Sequence, residues 1–112
     1  RRVDRPNFLM NFDTGHAWSC KARAPGVPAL AAARLVGTHL KDTHQRENLA
    51  LAPGAGTIPW PATLTALAAA GYRGSWDIEF LCSAELATEQ YTRALGFVRP
   101  LVETALAAAP RS

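Results

Sequence analysis

Three short apolar runs in this chain each end in a residue that can bind a cation. Phe8-Leu9-Met10-Asn11-Phe12 leads into Asp13-Thr14-Gly15-His16, Leu35-Val36-Gly37-Thr38 into His39-Leu40-Lys41-Asp42, and Trp76-Asp77-Ile78 into Glu79. Two carboxylates and one imidazole make a mixed oxygen and nitrogen donor set suited to Mn2+, Mg2+, Co2+ or Zn2+. Three protein ligands leave positions for another ligand and for substrate oxygens, as metal-assisted catalysis requires. Taken singly, each residue has a plain structural role: Asp13 as a helix or turn cap, His39 as a hydrogen-bonded core histidine, Glu79 as half of an ion pair. The same placement three times over favours a shared site.

The elements that must position these residues are legible from hydrophobic periodicity. Asn7 to Phe12 alternates with period two, Phe8, Met10 and Phe12 facing one way and Leu9, Asn11 and Asp13 the other. Pro6 can begin such a strand but not sit inside a central one. Asp13 to His16 reads as a turn and residues 17–24 as a loop. A short Ala-rich helix follows from about Val27 to Arg34, with Pro25 and Pro28 near its start. Leu35 to Leu40 is a second strand, with Gly37 and His39 on the face opposite Val36 and Leu40.

Lys41 to Pro59 is a long polar loop, a length at which function is common. Pro61 suits the first turn of a helix running to Ala70 that Gly71 stops, with Leu64, Leu67 and Ala68 as its buried stripe. Ser75 to Cys82 is a third strand, with Trp76, Ile78 and Phe80 on one face and Asp77 and Glu79 on the other. About Ala84 to Ala109 is helical, and Pro100 is expected to break or kink it. Strand and helix in alternation predict a parallel sheet.

The spacing between candidate ligands supports a barrel. Asp13 and His39 are 26 residues apart and His39 and Glu79 are 40 apart. A (β/α)8 barrel spends about 31 residues per unit. Each candidate therefore lies one unit from the next, the second unit being lengthened by the 41–59 loop. In such barrels the site lies at the C-terminal strand ends, where inward side chains converge.

Asp-Thr-Gly-His after an apolar strand, His-Leu-Lys-Asp, Pro-Gly-Ala-Gly-Thr-Ile-Pro-Trp, Gly-Tyr-Arg-Gly and Trp-Asp-Ile-Glu, in that order, resemble the sugar phosphate isomerase/epimerase superfamily. This is the xylose-isomerase-like TIM barrel group, which also contains hydroxypyruvate isomerase, inosose dehydratase, ketose 3-epimerases and, distantly, endonuclease IV. The resemblance runs from about Pro6 to Glu79 and onward, and it implies the last three βα units of a (β/α)8 TIM barrel, parallel strands with outer helices, over residues 1–112.

The resemblance also implies roles. Asp13 and His39 match metal ligands, His16 matches a histidine that contacts substrate hydroxyls, and Glu79 matches a metal-binding glutamate that also moves a proton in the epimerases. A fourth family ligand, a glutamate on the preceding strand, would lie before Arg1. The implied activity is that of a metal-dependent isomerase or epimerase, acting on a sugar-derived ketose or polyol through an enediolate. The alternatives are a lyase of the inosose dehydratase kind and a barrel fragment acting as an interaction domain. Nuclease chemistry is disfavoured, because it needs additional histidine ligands that three histidines cannot supply.

Lys41 either binds a substrate oxygen or phosphate or pairs with Asp42. Arg46 and His44, on the long loop, either reach substrate or are solvated. Trp18 and Trp60 either wall the pocket or pack.

Composition narrows the partners. The net charge of +3 is matched by Arg1, Arg2 and Arg5 at the N-terminus, and no basic stripe interleaves with aromatics, so no nucleic-acid face is expected. No run approaches the about 18 apolar residues of a membrane span, and no signal peptide is visible. Cys20 and Cys82 have no metal-ligand spacing and are expected to be reduced thiols of a cytoplasmic protein. The absence of an initiator Met suggests the C-terminal portion of a longer protein. Three βα units leave sheet edges open, so a homo-oligomer or association with the missing barrel half is expected.

Overall fold

A computed structural model of the chain describes residues 5–20, 24–47 and 49–110. Strand β1 (Met10–Asp13) and strand β2 (Leu35–His39) pair in parallel. Phe12 sits opposite Thr38, and Asp13 opposite His39. Alternation in β1 drives Phe12 into the core, while Phe8 and Leu9, ahead of the strand, are exposed.

The peptide between Asp13 and His16 does not form a turn leading to a loop. It starts helix α1 (Thr14–Ser19), because the Asp13 side chain accepts a hydrogen bond from the His16 N–H at 2.9 Å. A carboxylate at a helix N-cap satisfies an otherwise unpaired backbone donor. Residues 17–19 of the expected 17–24 loop are thereby corrected to helix, and residues 21–23 lie outside the described residues.

The crossover from β1 to β2 is completed by helix α2 (Val27–Ala31), flanked by 3-10 turns at Ala24–Gly26 and Ala32–Arg34. After the long loop, helix α3 (Trp60–Ala69) carries Pro61 in its first turn and buries Leu64, Leu67 and Ala68 completely. Gly71 lies at φ 91°, the left-handed conformation that closes a helix without a Cβ penalty.

The third strand is the main departure from expectation. Residues 75–82 run parallel to β2 but join it by a single bridge, Leu40 to Ile78. Leu40 N–H donates to Asp77 O at 2.7 Å, and Glu79 N–H donates to Leu40 O at 3.1 Å. Before that bridge the Thr38 hydroxyl replaces the ladder, donating to Ser75 O and accepting from Asp77 N–H. Beyond it, Leu81 N–H turns to Ala50 O in the long loop. Buried backbone groups are thus satisfied without a regular strand.

Helix α4 (Ala87–Ala108) follows a 3-10 turn at Ala84–Leu86 and runs through Pro100 unbroken. Proline inside a helix costs about 3 kcal/mol. Here Ala94, Val98, Val102 and Ala105 form one buried stripe, and Val98 and Val102 share a core cluster with Leu64 and Leu67 of α3. Burial of large aliphatic side chains, at about 1.5–3 kcal/mol each, offsets the lost hydrogen bond. Burial also pushes the Tyr72 phenol above its ordinary pKa, although the hydroxyl has Thr38 and Ser75 as partners. No helix among the described residues is long and apolar enough to cross a membrane.

Candidate metal centre

Parallel pairing places Asp13 and His39 side by side at the C-terminal ends of β1 and β2, and the Leu40–Ile78 bridge brings Glu79 to the same end. One donor atom from each of the three lies within 4.8 Å of the other two. His39 Nδ1 is 2.9 Å from Glu79 Oε2 and 3.8 Å from Asp13 Oδ2.

Ligands about 2.1 Å from one ion lie about 3–3.5 Å apart, and the His39 contacts with Glu79 at 2.9 Å and with Asp13 at 3.8 Å bracket that spacing. The donor set is two hard oxygens and one imidazole nitrogen, which fits such an ion.

Asp13 does two jobs with its two oxygens. Oδ1 caps α1, which fixes the rotation of the carboxylate, and Oδ2 faces the cluster. His16, on the first turn of that helix, brings Nε2 to 3.8 Å from Asp13 Oδ2 with its ring more than half exposed. Lys41 enters from β2's end: Nζ lies 3.1 Å from Asp13 Oδ2 and 3.7 Å from Glu79 Oε2.

The Lys41–Asp42 pair considered from sequence does not form. Asp42 is fully buried and points the other way, accepting from Thr43 N–H, Gly54 N–H, Ile58 N–H and Trp60 Nε1–H at 2.7–3.1 Å. Local spacing could not distinguish a solvent-side pair from this inward hub.

Arg46 stands apart from these contacts. It is exposed in a tight turn at φ 71°, and among the described residues it makes no ion pair with the cluster. His44, in the same loop, is half-buried.

One residue and one contact escape sequence reasoning. The buried Thr14 hydroxyl donates to Lys41 O at 2.7 Å and accepts from Lys41 N–H at 3.1 Å, clamping α1 to the end of β2. Trp18 Nε1–H donates to Thr57 Oγ1 at 2.9 Å, tying α1 to the long loop. A threonine directly after a strand-end aspartate was the available signal for the first; the second depends on a separation of 39 residues.

Comparison with known proteins bears on this arrangement. The family model described as "Xylose isomerase-like TIM barrel" matches residues 1–101. Among solved structures, a xylose isomerase domain protein from Alicyclobacillus acidocaldarius subsp. acidocaldarius is 30% identical with a TM-score of 0.68, covering 91% of this chain and 38% of its own. A D-tagatose 3-epimerase-like protein is 25% identical with a TM-score of 0.52, covering 89% of this chain and 39% of its own. The chain thus spans less than two-fifths of either structure. No curated protein matches it.

Proposed function

The chain belongs to the xylose isomerase-like TIM barrel family, and from that premise we propose that it carries the metal site of a sugar isomerase or epimerase. In this reading residues 1–112 are the last three βα units of a (β/α)8 barrel. The observation that carries it is the convergence of Asp13, His39 and Glu79 at the ends of three parallel segments. The likeness to a xylose isomerase domain protein and to a tagatose epimerase-like protein supports the sugar substrate class.

Asp13, His39 and Glu79 would hold the divalent ion. A bound divalent ion would supply Lewis acidity that polarises a carbonyl and a neighbouring hydroxyl of an open-chain ketose and acidifies the adjacent C–H bond. Glu79 then removes that proton as general base and returns it as general acid, passing through the enediolate. Its side chain is about half exposed, at 52%, and so can reach a substrate while keeping its contact with His39. His16 would hydrogen-bond a substrate hydroxyl, and Lys41 a substrate oxygen. Arg46 would have to come from the loop to contribute. The reading sets the reaction in the cytoplasm, where the free thiols of Cys20 and Cys82 stay reduced. It also assigns the outer side of residues 75–82, where Leu81 is 83% exposed, to a second copy or a complementary barrel half.

Incubation with Mn2+ and a panel of free and phosphorylated ketoses in D2O tests the reaction class by NMR. Deuterium is expected at the carbon beside the carbonyl, and only when the metal is present. Loss of water from the substrate would instead indicate a lyase, and no exchange with any ketose by the metal-loaded protein would overturn the reading.

A further inference from the structure

Lys41 is built into the candidate centre more firmly than a flexible surface lysine. Its side chain is only 11% exposed, and its backbone N–H and C=O are both held by the Thr14 hydroxyl. Its stem lies over Gly15, where a Cβ would come within 2.8 Å of Lys41 Cγ and 3.3 Å of Cε. Glycine at that position leaves the channel through which the stem reaches the cluster. At the far end, the ammonium contacts the same two oxygens, Asp13 Oδ2 and Glu79 Oε2, that face His39 Nδ1.

We propose that Lys41 sets the affinity of the centre for its divalent ion by competing for those two carboxylate oxygens. This rests on the ligand assignment above and adds a role to it. An ammonium and a divalent ion drawing on the same oxygens repel each other, and that repulsion is strong where the cation cannot retreat into water. Ion loading therefore pushes the ammonium off Asp13 and Glu79. The burial of its stem keeps the displaced charge at the site, where it is free to meet an anionic or developing oxyanion group of the substrate. Metal loading and presentation of Lys41 to substrate become one event, and the resting site carries an internal counter-cation that disfavours weakly held ions.

Calorimetric titration of Mn2+ into wild type, K41M, K41R and D13A tests this, each variant first checked to be folded at the titration temperature. Methionine keeps the buried stem and removes the charge, and K41Q serves as a second neutral variant should K41M misfold. Mn2+ affinity is expected to rise on the order of tenfold in the neutral variant and to stay near wild type in K41R. An unchanged or weaker affinity in the neutral variant overturns the role of Lys41. If D13A loses Mn2+ binding while the neutral variant is unaltered, only this role fails. Binding that survives D13A sinks the ligand assignment and this role together.

Discussion

Glu79→Gln is expected to lower turnover by about 100- to 10,000-fold at saturating metal, the range typical of a lost general base. The substitution keeps the shape of the side chain and removes its charge and proton affinity. Because Glu79 is about half exposed and its backbone N–H is held by Leu40 O at 3.1 Å, the fold should survive the change. The loss should therefore appear in kcat, measured with Mn2+ far above its dissociation constant so that weakened ion binding does not contribute. Deuterium exchange into the ketose should fall in parallel. A loss of less than about tenfold would remove Glu79 from proton transfer and leave it as a ligand alone.

Asp42→Asn carries the largest expected effect on stability. Asp42 is a buried anion whose four partners are all N–H donors, two on each oxygen: Thr43 and Ile58 on Oδ1, Gly54 and Trp60 on Oδ2. Its backbone also exchanges both hydrogen bonds with Leu51. Asparagine has one acceptor oxygen, so its NH2 must face one of those donor pairs. Two charge-assisted bonds are lost and two buried donors are left unpaired, which costs about 3–5 kcal/mol. Against a total of about 5–15 kcal/mol for a domain, that is a large fraction, and thermal unfolding should show a fall of about 10 °C or more. The 43–59 loop is folded around this one carboxylate. A fall of only a degree or two would mean that the loop is held by other contacts.

The local elements were the legible part of this fold. Helix α3 runs over Trp60–Ala69, one residue from the reading given by Pro61, the Leu64–Leu67–Ala68 stripe and Gly71, since those signals act within one or two turns. Strand β2 was legible from its short apolar run, and its pairing with β1 followed from the strand-and-helix alternation. The convergence of Asp13, His39 and Glu79 was also expected, because strand-end position and parity are sequence properties.

What escaped was decided by partners distant in sequence. Thr38 replaces backbone pairing across 37 residues, which reduces the third strand to one bridge. The choice of Lys41 between Asp42 and the Asp13–Glu79 pair depended on which way the long loop folds, and no local pattern encodes that. The helix after Asp13 was missed although its cap was in view: aspartate can end a strand or start a helix, and here it does both.

The central claim is that Asp13, His39 and Glu79 bind one divalent ion. A Co2+ titration followed by visible absorption tests it most directly, because ligand-field bands report both binding and the donors around the ion. The wild-type chain is expected to take up one equivalent, and D13A and H39A each to lose affinity by at least about tenfold, with the H39A bands shifted by the loss of a nitrogen donor. Unchanged Co2+ affinity and spectrum in both variants would contradict the account.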